Sequence, residues 1–364
     1  MKKIGIDARL YSQTGVGTYL RNLLYELEKK INGDFCILIF LKKEDFASVH
    51  FKNPQFKPIL ADYHWHSLSE QTLFLRDLWS HNIDLMHFTY FGYPVFYNRP
   101  FVATVHDVTP LVHKTGKAST RNPIVYELKY QVFKYVLSSQ VRHASAIIVP
   151  SQYVKKELSL LYGDHVKTKT EVIYEGLNRE LIASKEDSGI GKKVENPFFL
   201  YVGNFYPHKN VERLIKAFSQ VKTDHALFLI GPKDAFSDKL SEYVKNNGLT
   251  GRIRFHHNTS NGELVYLYKH ASALIHPSVS EGFGLPLLDA LYFKLPVIAS
   301  DIPVFHEILD HEYMHFDPLD ERSITEAIRS FSLHKGSFSP VTFNPLFSFE
   351  KMAEKTLQIY QKLV

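Results

Sequence analysis

Two doubly wound α/β domains are predicted, and three observations predict them. Short apolar runs that read as buried strands alternate with helical segments. The alternation restarts after a polar stretch at residues 178–196. A length of 364 residues, 45% of them hydrophobic, is enough for two cores at roughly 150 residues per domain. Alternation of this kind builds parallel sheets with helices on both faces. Ligands then sit beyond the carboxyl ends of the strands, which for two facing domains means a central cleft.

Taken in order, Lys3–Asp7 is the first strand, and the helix Gly17–Lys30 carries Leu20, Leu23, Leu24 and Leu27 on one stripe. Phe35–Leu41, Leu85–Phe88, Phe101–His106 and Ala146–Pro150 read as further buried strands. Ser151 is placed to cap a helix running through Leu161, and Glu171–Tyr174 is one more strand. These residues make a first domain, 1–177. The polar stretch 178–196, with Ser184-Lys-Glu-Asp-Ser-Gly189 inside it, reads as the linker. The second domain, 197–347, opens with the strand Phe198–Val202 and the helix Val211–Val221. Ala226–Ile230, Ile253–Phe255, Ala273–His276 and Pro296–Ser300 complete its strands.

Composition narrows the function. Forty-three basic and 38 acidic residues leave a net charge of +5 with no block of like charges, too weak a bias for nucleic acid. The single cysteine, Cys36, excludes an internal disulfide framework and reads as a small buried strand residue. No DxD pair occurs, and no metal site is expected. The longest apolar run, Phe35–Leu41, is far below the roughly 18 residues of a membrane span, and no signal peptide precedes the first strand. A soluble cytoplasmic protein, peripheral on a membrane at most, is expected.

Four motifs carry chemistry. Gly15-Val-Gly17-Thr-Tyr19 opens the first helix, where it serves either as a tight strand-to-helix turn or as a close backbone approach to an anion. Leu20 stands where a dinucleotide fingerprint would want a third glycine. His106-Asp107 closes a strand, at a place where a histidine can donate to a sugar hydroxyl or a phosphate and the aspartate can orient it or cap a turn. Gly203-Asn204-Phe-Tyr-Pro-His208-Lys209-Asn210 combines a glycine turn, a point positive charge suited to a diphosphate and a helix start. His276-Pro-Ser-Val-Ser-Glu281-Gly282-Phe283-Gly284-Leu285-Pro286-Leu-Leu-Asp289 is the most specific. It offers two carboxylates for vicinal diols, with the amides of residues 282–285 for an anion.

The Ser280–Asp289 run, the Tyr201–Asn210 loop and the Gly15–Tyr19 loop together resemble the family-4 retaining glycosyltransferases of the GT-B fold, built from two Rossmann-like domains. His106-Asp107-Val-Thr-Pro110 resembles members that build bacterial polysaccharides. The resemblance spans nearly the whole chain. It implies transfer of a hexose, with a lean to mannose, from a nucleoside diphosphate sugar to a saccharide or lipid-linked hydroxyl, with no metal and no cofactor. It implies that Glu281 contacts the donor sugar, Asp289 the ribose and Lys209 the diphosphate. Gly282, Phe283, Gly284 and Leu285 assist with their amides, while Gly203, Asn204 and His208 complete the loop. Gly15 and Gly17 would border the diphosphate, His106 would touch the transferred sugar, and the helix 348–364 would return to the first domain.

Two positions depart from the family pattern. Asp289 stands for the usual glutamate, one methylene shorter, so ribose binding needs a closer helix or a bridging water. Asn204 and His208 stand where an arginine often accompanies the lysine, which leaves Lys209, the helix start and a protonated His208 to stabilise the leaving group. On the acceptor side, Tyr90–Tyr97 is rich in aromatics for stacking on sugar or for packing on its own domain. The segment Arg121–Arg142, with Lys129 and Lys134 beside Tyr126, Tyr130, Phe133 and Tyr135, is either a core helix or a surface that lies on a membrane. A nucleotide-sugar isomerase, a dehydrogenase and an inactive sugar-binding partner share parts of this pattern. Incubation with nucleotide sugar alone, NADH quenching and binding without turnover separate them.

Overall fold

The computed structural model describes residues 1–112, 123–194, 197–310, 313–333 and 343–364. The chain divides into two compact units, Met1–Gly176 with Leu346–Val364, and Leu177–Pro345.

The first unit holds a parallel sheet in the order β3-β2-β1-β4-β5-β6-β7. Its strands are β1 (Lys2–Asp7), β2 (Phe35–Leu41), β3 (Phe56–Leu60), β4 (Leu85–Phe88), β5 (Phe101–Thr104), β6 (Ala146–Val149) and β7 (Thr170–Val172). The central strands read as unbroken apolar runs because both of their faces are covered. β2 is buried along its whole length, Cys36 included. The winding direction reverses between β1 and β4, which pair with Ile4 opposite Leu85. This is the switch point at which such sheets take ligands. The helix Val16–Lys30 buries Leu20, Leu23, Leu24 and Leu27. The C-terminal helix Phe349–Leu363 packs against it, tied by Lys30 to Glu354 at 2.7 Å.

The second unit holds a parallel sheet in the order β10-β9-β8-β11-β12-β13. The strands are β8 (Phe198–Val202), β9 (Ala226–Ile230), β10 (Ile253–His256), β11 (Ala273–His276), β12 (Val297–Ser300) and β13 (Met314–Phe316). Its core gathers Phe199, Leu214, Phe218, Leu227, Ile275 and Ile328 from both layers.

β3 and β13, each at a sheet edge, have no counterpart among the strands expected from the sequence. β3 contains Pro58 and is largely half-exposed, and β13 is three residues long. The polar stretch read as a linker is, over its described residues, folded into the second unit. Leu181 and Ile190 are buried, the Asp187 amide donates to the Gly262 carbonyl at 3.0 Å, and Glu186 pairs with Lys269 at 2.9 Å. Its link to the helix Asn261–His270 is made by the Asp187 amide and the Glu186 carboxylate, while Lys185, Ser188, Lys192 and Lys193 are exposed. Positions 195 and 196 of that stretch lie outside the described residues, as do Arg121 and Asn122 of the basic aromatic segment. Of the aromatic loop, Phe91, Tyr93 and Tyr97 are buried in their own unit, and Phe96 is exposed.

Candidate donor site

Two loops of the second unit are stitched together by the backbone. β8 ends at Val202, and the Gly203 amide donates to the Ile230 carbonyl at 2.9 Å. A Cβ on Gly203 would lie 2.8 Å from the Tyr201 hydroxyl, which itself donates to the Asn204 carbonyl at 2.5 Å. After one tight turn, Pro207–Lys209, Asn210 takes the left-handed conformation with φ 59°. Its side-chain amide then donates to the carbonyls of Pro277 and Pro318, at 3.0 and 2.8 Å. The Val279 amide returns a bond to the His208 carbonyl at 2.8 Å. These links place Lys209 opposite the loop that follows β11.

Glu281 is the centre of the result. Its Oε1 accepts from Lys209 Nζ at 2.5 Å, from Ser278 Oγ at 2.8 Å and from His276 Nε2 at 3.1 Å. Its Oε2 has no bond to any described residue. The side chain is nearly buried. Burial alone would raise its pKa, but the Lys209 ammonium and the His276 bond outweigh burial and hold the carboxyl well below the usual range. Burial lowers the pKa of His276, so its ring is neutral with the proton on Nε2. The ring of Tyr201 lies nearly parallel to His276, centroids 6.1 Å apart.

Gly284 caps the helix Leu285–Tyr292 with φ 118°, a conformation open to glycine, and a Cβ there would press on Leu287 and Phe305. Pro286 lies in the first turn, where its missing amide costs nothing. Gly282, Phe283 and Leu285 thus lead from Glu281 into a helix start with no acidic residue in its first turn. Asp289 lies one turn further on. It is half-buried, makes no side-chain bond to a described residue, and burial pushes its pKa up to about 7. Asn204 leaves a buried Oδ1 without a partner among the described residues. His208 sits with its ring 6.0 Å from that of Tyr206.

Gly15, Gly17 and His106 belong to the first unit. Gly15, with φ 68° and open space around it, serves the turn. Gly17 serves packing, because a Cβ would lie 2.5 Å from the Tyr11 carbonyl. His106 spends both ring nitrogens within the unit, Nε2 on the Thr89 carbonyl at 2.9 Å and Nδ1 on Glu175 at 3.3 Å. The donation to a sugar hydroxyl expected from the sequence would therefore require one of these bonds to open. Asp107 caps a turn, accepting from the Thr109 amide at 2.7 Å.

Sequence reasoning gave no role to His276 or Ser278, which lie inside the quoted motif, nor to Asn210 and Glu175. Their signal was proximity to residues already singled out. It also missed Arg9, buried between Asp7 at 2.7 Å and Glu70 at 2.8 Å beside a pocket lined by Trp65, Thr89 and Tyr90. Among the described residues no cluster of His, Cys, Asp and Glu is placed to hold a metal ion.

Known proteins share this pattern. Residues 13–181 match the family described as Glycosyltransferase Family 4, and residues 183–337 the one described as Glycosyl transferases group 1. The O-antigen chain mannosyltransferase RfbU of Salmonella typhimurium is 31% identical over 239 residues, 65% of each chain. The serotype-specific mannosyltransferase WbdA of Escherichia coli is 29% identical over 244 residues, 62% of this chain and 29% of WbdA. The chain thus spans less than two thirds of the length of either relative. Sucrose-phosphate synthase of Thermosynechococcus elongatus superposes over 100% of this chain and 99% of its own, with a TM-score of 0.77 at 18% identity. That likeness is one of fold.

Proposed function

The chain belongs to the glycosyltransferases of family 4 and group 1, and we propose that it moves a hexose, mannose in our reading, from a nucleoside diphosphate sugar to a saccharide or lipid-linked hydroxyl in surface polysaccharide synthesis. The observation that carries this reading is Glu281. A nearly buried carboxylate has one oxygen fixed by three donors and the other left to accept from a ligand. Asp289, an unpaired half-buried acid on the next helix, is suited to the ribose hydroxyls.

The difficult step is loss of the diphosphate, on which negative charge develops. Lys209 has three N–H donors and spends one on Glu281, so two remain for phosphate oxygens. The helix start at Gly284 adds oriented amides, and preorganised donors aimed at developing charge are the main source of rate in such sites. Ser278 and the neutral His276 keep Glu281 fixed and ionised, so that it orders the sugar hydroxyls without protonating the leaving group. Retention follows from attack on the face that the diphosphate leaves. We assign the acceptor side to the strand ends of the first unit around His106, Gly15 and Gly17, and a lipid-linked acceptor would require contact with a membrane surface.

A thermal-shift panel of GDP, UDP and their hexose conjugates tests the reading. A ligand at 100 times its dissociation constant stabilises by about 2.7 kcal/mol, a shift that is easily seen. No shift with any member of the panel would sink the proposal.

A further inference from the structure

Asp7 ends β1 where the winding of the first sheet reverses, and a pocket opens beside it. Asp7, Arg9 and Glu70 line this pocket with buried side chains, and Trp65 and Tyr90 line it with half-buried rings. Arg9 Nη2 donates to Asp7 Oδ2 at 2.7 Å and to Glu70 Oε1 at 2.8 Å. Its Nε donates to Asp7 Oδ1 at 2.9 Å and its Nη1 to the Tyr63 carbonyl at 3.3 Å. Four of the five guanidinium N–H donors are thus spent inside the protein. Asp7 Oδ2 and Glu70 Oε1 each accept one bond, from the same nitrogen, and a carboxylate oxygen has room for a second.

The backbone is bent to hold Glu70 there. His66 takes the left-handed conformation with φ 57°, and its amide donates to Glu70 Oε2 at 3.0 Å. Glu70 opens a π-helical turn, Glu70–Phe74, a rare form that gathers at functional sites. Gly92 completes the pocket, because a Cβ there would lie 3.1 Å from Glu70 Oε1. The backbone of Gly92 is outside the left-handed region, so this close approach is what calls for glycine. The missing side chain keeps the oxygen open.

Carboxylate oxygens with spare lone pairs accept from hydroxyl groups, and aromatic rings beside them suit the C–H face of a sugar. The same groups turn an anion away. Its oxygens would meet two carboxyl groups, and the guanidinium has little left to offer them. Lys42, whose ammonium lies 5.3 Å from the centre of the Trp65 ring, is already paired with Glu44 at 3.3 Å. The Thr89 hydroxyl donates to the Asp7 carbonyl at 2.5 Å, and the Thr89 carbonyl accepts from His106 Nε2 at 2.9 Å. The pocket therefore adjoins the strand end assigned to the acceptor.

We propose that the Asp7–Arg9–Glu70 pocket seats a sugar unit that bears no phosphate or carboxylate, holds it through its hydroxyls, and so restricts the acceptor to an uncharged saccharide end. That this sugar is the acceptor rests on the glycosyltransferase reading. The subsite itself stands on the pocket, its spare oxygens and Gly92.

The chain has two tryptophans, Trp65 and Trp79. Trp79 is 41% exposed, so Trp79→Phe is mild and leaves Trp65 as the single fluorescent reporter of the pocket. The full chain in this background is titrated with methyl α-mannoside, methyl β-glucoside, methyl β-galactoside and methyl β-N-acetylglucosaminide, and with mannose 6-phosphate and methyl β-glucuronide. At least one neutral glycoside is expected to shift the Trp65 emission and to saturate. The two charged sugars should bind at least about tenfold more weakly than their neutral parents. Gly92→Ala should weaken the neutral sugar about tenfold by crowding Glu70. Glu70→Gln adds no atom, so it carries the comparison should Gly92→Ala fail to fold. It should weaken the neutral sugar and narrow the gap to the charged ones. No saturable response to any neutral glycoside, a charged sugar bound as tightly as its parent, or folded variants that bind like wild type would each overturn the proposal. A gap that Glu70→Gln leaves intact would assign the rejection to size and overturn the charge argument. GDP and UDP melting shifts on the same preparations report on the second unit separately. A nucleotide response without a sugar response ends this proposal alone, and a sugar response without a nucleotide response ends the donor reading and leaves the subsite standing.

Discussion

Three donors on one oxygen of Glu281 orient the other. The Lys209–Glu281 contact is therefore a held reserve, and it makes Lys209→Ala a double loss. Removing the ammonium takes a charge-assisted bond from the diphosphate, worth about 1.5–3 kcal/mol, or roughly one to two orders of magnitude in both affinity and turnover. It also leaves a nearly buried carboxylate short of its cation, so the ligand-free variant should melt below wild type. Unchanged GDP and UDP affinity together with unchanged turnover would place Lys209 outside the site. Asp289 gives a pH prediction. Its carboxyl titrates near 7 folded and near 3.8 unfolded, so between those values the folded protein holds the extra proton. Its contribution to stability is present at low pH and is lost as pH rises toward 7. Asp289→Asn should accordingly gain on wild type in melting temperature between pH 5 and pH 8, and a constant difference would count against a desolvated acid. These two acids and the lysine were legible in the sequence because glycines and spacing framed them. The supporting His276 and Ser278 were not, because serine and histidine beside a strand end look the same whether they face solvent or a carboxylate.

At the scale of elements, the site depends on loops that hold one another. Asn210 supplies both a left-handed turn and two bonds to carbonyls across the loop. Asn210→Gly keeps the turn and loses the bonds, while Asn210→Ala loses both. Melting should fall in the order wild type, glycine, alanine, with the alanine variant down by about 2–4 kcal/mol. Equal stability of the glycine and alanine variants would mean that the turn conformation carries no strain. Gly284→Ala should be similarly costly, because a φ of 118° strains any L side chain and a Cβ would press on Leu287 and Phe305. The sheet centres could be read from unbroken apolar runs. The strands β3 and β13 could not, since β3 is interrupted by Pro58 and largely half-exposed and β13 has three residues of which only Phe316 is buried. The stretch 178–194 misled for a different reason: its polar residues are mostly exposed, as a linker's are, but Leu181 and Ile190 are buried and the Asp187 amide and Glu186 carboxylate bond the helix Asn261–His270.

For the whole molecule, the chain leaves its first unit after Gly176 and comes back to it at Leu346. The return is specified by Tyr360, whose hydroxyl meets His87 Nδ1 at 2.5 Å, while His87 Nε2 meets Thr104 at 2.7 Å. Burial pushes the His87 pKa down to about 3, so this is a neutral buried link between the last helix and the central sheet. Tyr360→Phe leaves a ring nitrogen unpaired and should destabilise the first unit by about 1–3 kcal/mol, read by melting, without changing GDP or UDP affinity. A loss of nucleotide affinity would show that the last helix acts on the donor site as well. The central claim is that Glu281 serves the transferred sugar while its neighbours serve the nucleotide. Glu281→Gln keeps the size and removes the charge, so the most direct measurement is turnover and nucleoside diphosphate affinity on one preparation of that variant. Affinity is expected to stay within about threefold of wild type, under 1 kcal/mol, with turnover reduced by at least an order of magnitude. Normal turnover, or affinity lost in step with turnover, would contradict it.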